Sequence, residues 1–372
     1  MKKIGMLNLA GQHDLIKSDL IAAFEKVLID SDYIGGESVR TFEKELAQFL
    51  GIKHVISCGN GTDAIQIALM SLDLKSGDEI LVPSFTYVAS AEAIALLGLS
   101  PVFVEVNIDT FNIDIADIKK KLTSKTKAIL AVNLYGQPCD LLELRTLCDE
   151  FNLFLIEDNA QSLGSYIVNN GKKIMAGTVG DISTTSFFPS KNLGCLGDGG
   201  AIMTDDDNLA QKLRQIANHG QKEKYVHDMI GVNSRLDTIQ AAILSIKLVY
   251  LNEYSLQRRK VAHFYNEELR ELNVTTPHCA ENCYHVYHQY TLLLENEVER
   301  NELQEFLKER NVQTMIYYPL PIHKQKAYKV LNVNLSTSED LAKRVLSLPI
   351  HPVMEKKEMK FIIDQIKLFY ER

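Results

Sequence analysis

The chain has 372 residues, 46% hydrophobic and 24% charged, a composition typical of a globular protein large enough for more than one hydrophobic core. Acidic residues outnumber basic ones by 48 to 40, and the formal charge of −8 argues against broad nucleic-acid binding. The sequence contains no apolar run that reads as a signal peptide or membrane span, and six cysteines do not make a disulfide framework. We therefore expect a cytoplasmic protein.

The first two thirds of the sequence alternate short apolar runs with segments of helical periodicity. Residues 62–72 and 140–152 each place apolar side chains on one helical face. This alternation predicts an α/β fold, with a mainly parallel seven-stranded sheet covered by helices on both faces. The predicted strands are residues 54–58, 79–83, 101–106, 127–136, 153–158, 183–188 and 200–205.

Long helical patterns replace this alternation from about residue 235. Residues 237–272 are amphipathic over a length that predicts a bend or break within the helix. A smaller α+β region follows, with a strand predicted over 287–294 and helices over 299–310 and 357–372. We predict a large domain over residues 1–250 and a small C-terminal domain over residues 251–372.

Ligands of parallel α/β sheets bind beyond the carboxyl ends of the strands. Alone, the residues found there have commoner structural explanations: a tight turn, a packing aromatic ring, a helix cap and a solvated lysine. Together they match pyridoxal phosphate, which needs an amine to bind covalently, a carboxylate beside its ring nitrogen and a cradle for its phosphate. Four predicted strands are followed respectively by Gly61 with Thr62, by Tyr87, by Asp158 with Gln161, and by Lys191.

A cluster of cysteines and histidines, HCAENCYHVYH over residues 278–288, has side chains that suit zinc. The steps between Cys283, His285 and His288 differ, however, and one regular element would not converge all three on an ion. We interpret the cluster as the entry to a strand with scattered histidines and expect no metal site.

Several motifs resemble the DegT/DnrJ/EryC1 family of bacterial sugar aminotransferases, in the family's order and over nearly the whole chain. They include GNGTDAIQIAL, PSFTYVASAEAI, IEDNAQSLG, SFFPSKNLGCLGDGGA, GVNSRLDTIQAAIL and YYPLPIHKQ. The resemblance implies an aspartate aminotransferase-like fold (pyridoxal phosphate fold type I) and pyridoxal 5'-phosphate as the cofactor. It also implies a homodimer with active sites at the subunit interface.

The resemblance assigns each matched residue a role toward the cofactor. Lys191 is the covalently bound lysine and the base that moves the proton, and Asp158 faces the pyridine nitrogen. Tyr87 stacks on the ring, which Gln161 also contacts. The implied phosphate contacts are Gly61, Thr62, Ser186 and, across the dimer interface, Asn233.

Assignments toward the substrate are looser. Arg235 is a candidate for binding the nucleotide diphosphate or a sugar carboxylate, because the guanidinium fork fits either anion. The structural alternative is an ion pair between Arg235 and Asp237. Residues expected to border the sugar pocket are Tyr317, Tyr318 and His323.

Three functions compete. The first is transfer of an amino group from L-glutamate to a nucleotide-linked keto-sugar. The second is a dehydratase of the same family, but those enzymes carry histidine in place of the lysine, and Lys191 is present. The third is a non-enzymatic regulator or sugar-binding protein on the same scaffold, against which the intact Lys191, Asp158 and Gln161 argue.

The motifs look closest to enzymes that aminate C3 of UDP-2-acetamido-2-deoxy-3-keto-D-glucuronate for O-antigen sugars. In that subgroup a proline follows the lysine, whereas this chain has Asn192. Asparagine at this position also resembles the subgroup of enzymes that make dTDP-3-amino-3,6-dideoxyhexoses. We therefore expect C3 amination, with the UDP-glucuronate derivative as the first choice of substrate and the dTDP-3-keto-6-deoxyhexose as the alternative. A glucuronate carboxylate requires a cation, for which Arg235 and Lys324 are the candidates.

Overall fold

The computed structural model describes residues 3–328 and 333–372. Within them, the helices are α1 (Leu9–Asp14), α2 (Lys17–Asp30), α3 (Glu37–Leu50), α4 (Gly61–Met70), α5 (Ala89–Leu96), α6 (Ile115–Lys121), α7 (Leu141–Phe151), α8 (Asp207–Ala217), α9 (Thr238–Leu248), α10 (Leu251–Leu269), α11 (Glu297–Glu309), α12 (Ser336–Arg344) and α13 (Lys356–Tyr370). The strands are β1 (His54–Cys58), β2 (Glu79–Pro83), β3 (Ser100–Val104), β4 (Thr126–Val132), β5 (Phe154–Asp158), β6 (Tyr166–Asn169), β7 (Lys172–Met175), β8 (Ile182–Ser186), β9 (Gly200–Thr204), β10 (Gln221–Glu223), β11 (Val226–His227), β12 (Cys283–Tyr284), β13 (Tyr290–Leu293) and β14 (Val345–Leu348).

A seven-stranded sheet forms the centre of the molecule, in the order β1-β9-β8-β5-β4-β2-β3. Its strands are the seven predicted ones, with small differences at their ends. Strand β9 pairs antiparallel with both of its neighbours, whereas the pairs along β8-β5-β4-β2-β3 are all parallel. The prediction of a mainly parallel sheet is therefore confirmed, and the carboxyl ends of β1, β2, β5 and β8 lie along one edge.

Both faces of the sheet are covered. Successive side chains of a strand point to opposite faces, and in β4 the alternate residues Ala128 and Leu130 join one apolar cluster while Ile129 and Ala131 join another. The first cluster includes side chains of α4, α5 and α8, and the second includes side chains of α6 and α7. A strand buried on both faces reads as a continuous apolar run, which explains why the sequence identified these strands so well.

Residues 237–272 contain a break, as predicted. Helix α9 ends at Leu248 and α10 begins at Leu251, with Val249 and Tyr250 between them. Helix α10 packs against α13, and both contribute to an apolar cluster with α11, β13 and β14. The domain boundary at residue 250 stays a prediction, since apolar side chains from β13 and β14 also join the cluster beneath the large sheet.

The β6-β7 hairpin, to which β12 adds a third strand, was absent from the predicted elements. Its exposed side chains and the turn at Asn170 and Gly171 interrupt the apolar pattern. None of the described helices is long and apolar enough to cross a membrane.

Candidate active site

The carboxyl edge of the sheet opens into a cavity of about 570 Å³. Side chains from separate strand ends meet there, as the order of the motifs predicted. Of the residues named from the sequence, the cavity is lined by Gly61, Thr62, Tyr87, Asp158, Gln161, Ser186, Lys191, Tyr317 and Tyr318.

The amino end of α4 forms one wall of the cavity. Asn60 caps the helix, because its side chain accepts a hydrogen bond from the Asp63 amide at 2.8 Å. No group in the described part of the chain accepts a hydrogen bond from the amides of Gly61 or Thr62. A Cβ atom on Gly61 would lie 2.7 Å from the Ser186 Cβ, so only glycine lets these free amides and the Ser186 hydroxyl lie together. This combination suits a phosphate.

Asp158, the last residue of β5, is buried and held from two sides. Ser90 Oγ donates to its Oδ2 at 2.9 Å and the Ala160 amide to its Oδ1 at 3.1 Å. The neighbouring Glu157 points to the opposite face and accepts hydrogen bonds from the amides of Gly177, Val179 and Gly180. Strand alternation therefore leaves Asp158 as the carboxylate of this pair that lines the cavity.

Lys191 and Asp158 form the electrostatic centre of the cavity. Burial lowers the pKa of Lys191 to about 8, while the charge of Asp158 opposes that shift. Burial likewise raises the pKa of Asp158, against the Ala160 amide, the charge of Lys191 and the Ser90 hydroxyl. A lysine with such a lowered pKa has a larger fraction of neutral, nucleophilic amine near neutral pH.

Gln161 is fixed between two tyrosines. Its Oε1 accepts from the Tyr135 amide at 2.8 Å, and its Nε2 donates to the Tyr318 hydroxyl at 3.0 Å. Tyr87 is 59% exposed at the cavity, with its ring centroid 6.2 Å from that of Tyr318. An exposed aromatic face of this kind is available to stack on a planar ligand.

Asn233 and Arg235 do not line the cavity of their own chain. The residue between them, Ser234, is buried, and its hydroxyl accepts from the Gly59 amide at 2.9 Å. Exposure alternates along this segment, and Asn233 and Arg235 on either side of Ser234 are exposed. Among the described residues Arg235 makes no ion pair, so the alternative of a structural pair with Asp237 is not realised.

His323 does not lie in the cavity lining, in contrast to the expectation that it borders the sugar pocket. The ring is buried, with Nδ1 2.6 Å from Ser84 Oγ and Nε2 3.2 Å from Glu339 Oε1. Lys324 forms an ion pair with the same Glu339 oxygen at 2.9 Å. His323 therefore links Glu339 of α12 to Ser84 after β2, and Lys324 is paired with the same glutamate.

Sequence reasoning missed several residues of the cavity. His288 is the most informative, because the cluster that contains it was set aside as scattered histidines. It lines the cavity beside Gln289, immediately before β13. The other lining residues with polar side chains that were not predicted are Asn60, Thr86, Ser190 and Asp198. No pattern in the sequence singles out His288, because a histidine at the start of a strand is not a functional motif.

A family model for the DegT/DnrJ/EryC1/StrS aminotransferase family matches residues 14–367. The chain belongs to this family. It is 43% identical to a pleiotropic regulatory protein of Geobacillus stearothermophilus, over 99% of this chain and 98% of that one. It is also 43% identical to the UDP-2-acetamido-2-deoxy-3-oxo-D-glucuronate aminotransferase of Pseudomonas aeruginosa, over 96% of this chain and 98% of that one.

A third relative, the dTDP-3-amino-3,6-dideoxy-alpha-D-galactopyranose transaminase of Aneurinibacillus thermoaerophilus, is 42% identical over 95% of this chain and 96% of that one. Among solved structures, that of Streptomyces venezuelae DesV in complex with a ketimine intermediate superposes with a TM-score of 0.95. The two chains are 37% identical, and the match covers 100% of each. The aspartate aminotransferase-like fold is therefore confirmed.

The cofactor of this family is pyridoxal 5'-phosphate, and the residues of the cavity fit it. The free amides of α4 with Ser186 suit the phosphate, Asp158 suits the ring nitrogen, and Lys191 would supply the amine. When bound, the cofactor supplies an electron sink for the carbon that loses or gains the proton. The chain is thus a sugar aminotransferase.

Proposed function

We propose that the protein transfers an amino group from L-glutamate to C3 of UDP-2-acetamido-2-deoxy-3-keto-D-glucuronate. The product is UDP-2-acetamido-3-amino-2,3-dideoxy-D-glucuronate, a precursor for O-antigen or another surface polysaccharide. In this proposal the enzyme acts in the cytoplasm. The observation that carries this proposal is the 43% identity, over 96% of the chain, to the Pseudomonas enzyme named for that substrate.

The alternative substrate is a dTDP-3-keto-6-deoxyhexose. A relative named for a dTDP-3-amino sugar is nearly as similar, at 42% identity, and Asn192 resembles that group. The first relative is an aminotransferase named for a 3-oxo sugar and the second is named for a 3-amino sugar, which makes C3 as the position of amination the firmer part of the proposal. The Geobacillus relative is named as a regulatory protein, and that name describes no reaction. We favour an enzyme over a non-enzymatic regulator, because this chain has Lys191 and Asp158 in the cavity as candidate catalytic groups.

In this proposal the chain's own groups divide the work. Lys191 would hold the cofactor through its amine and would act as the general base that moves the proton. Asp158 keeps the ring nitrogen protonated, because a carboxylate in a low-dielectric site favours a cation beside it. Tyr87 packs on the ring, and the side chains of Tyr317 and Tyr318 border the sugar.

The single-turnover spectrum tests the substrate. Glutamate converts the lysine-bound cofactor to its amine form, and the keto-sugar nucleotide that restores the original absorbance is the substrate. We expect the UDP-3-keto-glucuronate derivative to restore it. Restoration by the dTDP-3-keto-6-deoxyhexose alone would make that sugar nucleotide the substrate instead. Failure of glutamate to form the amine would show that glutamate is not the amino donor.

We further propose a homodimer in which each active site uses Asn233 and Arg235 of the partner. Both side chains are exposed and turned away from their own cavity by the buried Ser234. Arg235 is the preferred anchor for the glucuronate carboxylate, because Lys324 is already paired with Glu339. In a two-fold dimer the same surface of each chain faces its partner, so both sites would receive the partner's residues in the same way.

Mixing two inactive variants tests the shared site. A chain with Lys191→Ala and a chain with Asn233→Asp each build only defective sites as homodimers. In a mixed dimer, one of the two sites combines the intact Lys191 of one chain with the intact Asn233 of the other. After subunit exchange at equal concentrations we expect about a quarter of the wild-type activity. No recovery from a mixture that has demonstrably exchanged subunits would place Asn233 outside the partner's site.

A further inference from the structure

The imidazole of His288 lines the cavity but has no part in the proposed binding of cofactor or sugar. His288 is 8% exposed and lines the cavity together with Lys191. Its Nδ1 lies 3.0 Å from Oδ1 of Asn192, the residue that follows Lys191. No hydrogen-bond partner for its Nε2 is found in the described part of the chain.

The orientation of the Asn192 amide decides which ring nitrogen carries the proton. Asn192 Nδ2 donates to the Val286 carbonyl oxygen, at 3.4 Å. A carbonyl can only accept, so the amide nitrogen must face Val286 and Oδ1 must face the ring. An amide oxygen also can only accept, which requires the hydrogen to be on Nδ1 of His288. In the neutral ring, Nε2 is then an unprotonated acceptor.

Burial, together with the positive charge around it, favours the neutral form of the ring. Burial, followed by the positive charges of Lys191 and Arg258, lowers the pKa of His288 well below its usual value. A neutral imidazole with Nδ1 occupied cannot act as a cation for the diphosphate or a carboxylate. What it offers to the cavity is a single lone pair.

We propose that Asn192 locks His288 in its Nδ1–H tautomer, so that Nε2 accepts a hydrogen bond from an N–H or O–H group of the bound sugar beside Lys191. His288 is thereby a specificity-determining residue of the aminotransferase site, and Asn192 is its positioning residue. The inference rests on the sugar aminotransferase activity but not on the choice of nucleotide.

The tautomer can be observed without turnover. In holoenzyme labelled with ¹⁵N-histidine, the His288 signals are those lost in His288→Phe. We expect a protonated Nδ1 and an unprotonated Nε2 in the wild type and in Asn192→Asp, which keeps an acceptor at this position. Asn192→Leu removes the acceptor, and we expect it to shift His288 toward the Nε2–H form. An Nε2–H tautomer in the wild type would overturn the proposal.

Binding of the sugar tests the role of Nε2. The ligand is the amino-sugar nucleotide product of whichever substrate the single-turnover spectrum identifies, titrated into the lysine-bound holoenzyme. We expect its Kd to rise by about 3- to 10-fold in both Asn192→Leu and His288→Phe, the loss of one uncharged hydrogen bond. Retention of the wild-type cofactor spectrum shows that each variant is folded. An unchanged Kd in both folded variants would remove Nε2 from the sugar site while leaving the aminotransferase activity itself intact.

Discussion

At the residue scale, the site depends on a lysine placed where its proton is held weakly. Burial lowers the pKa of Lys191 from 10.5 to about 8, and Asp158 prevents a larger shift. Between these two pH values the unfolded chain binds more protons at this position than the folded chain does. The free energy of unfolding of the cofactor-free protein therefore rises with pH across this window, and below about pH 8 folding carries the full desolvation cost.

This linkage predicts that cofactor-free Lys191→Met is more stable than cofactor-free wild type at about pH 7, by on the order of 2 kcal/mol after allowance for residual solvent access. We expect the difference to shrink as the pH approaches 10. Urea denaturation of both proteins at the two pH values measures it. Lys247, whose pKa burial also lowers to about 8, is present in both proteins and cancels. A difference that does not vary with pH would contradict the prediction.

Two cavity residues could be predicted from the sequence, whereas a third, His288, is placed only by tertiary contacts. The sequence identified Lys191 and Asp158 from their places after strands, and the structure brings both to one cavity. It could not identify His288, because a histidine before a strand has no functional pattern of its own. Only the folding of β13 beside the Lys191 loop places that ring in the cavity.

At the element scale, the amino end of α4 has two functions, one in stability and one in binding. Asn60 completes the first turn, while the next two amides remain free toward the cavity. Asn296 caps α11 in a comparable way, accepting from the amides of Val298 and Glu299 at 3.0 and 3.1 Å, but it does not line the cavity. The two caps therefore form a matched pair.

We expect Asn60→Ala and Asn296→Ala each to reduce the free energy of unfolding of the cofactor-free protein by about 1 kcal/mol. Only Asn60→Ala should also weaken pyridoxal phosphate binding, by about 3- to 10-fold, because it loosens the turn that presents the amides. Urea denaturation and titration with pyridoxal phosphate measure the two effects. Equal cofactor affinity in the two variants would show that the α4 turn does not hold the phosphate.

At the scale of the whole molecule, apolar side chains are exposed in an uneven way. Many of them lie within residues 15–34, on α2 or directly beside it: Leu15, Ile21, Phe24, Leu28, Ile29, Tyr33 and Ile34. An apolar patch concentrated on one helix and its flanks indicates an interface. The opposite face of α2 packs on α9, which begins just after the segment carrying Asn233 and Arg235.

This arrangement predicts that Phe24→Glu combined with Ile29→Glu yields a monomer, because two charges in an apolar interface remain unpaired. The monomer should lose at least about 90% of the activity, since each site would lack its partner's residues. Light scattering and the transamination rate measure the two effects. Val298→Glu, at a 65% exposed apolar residue of α11, is the control and should stay dimeric and active. A dimeric double variant would place the interface elsewhere.

The sequence by itself determined the large sheet and most of the residues after its strands that line the cavity. Strands buried on both faces are continuous apolar runs, which can be recognised from the local sequence alone, and parallel strands bring their carboxyl ends to one edge. The β6-β7 hairpin escaped because its half-exposed strands carry little apolar pattern.

Only the tertiary structure decided which side chains face the cavity. It assigned His323 to Ser84 and Glu339, turned Arg235 outward and brought His288 to Lys191. These outcomes depend on contacts between residues far apart in the chain, and such contacts have no local period. Functional residues that follow strands can therefore be predicted from the sequence alone. The orientation of a polar side chain, in contrast, depends on the hydrogen-bond partner that the fold brings to it.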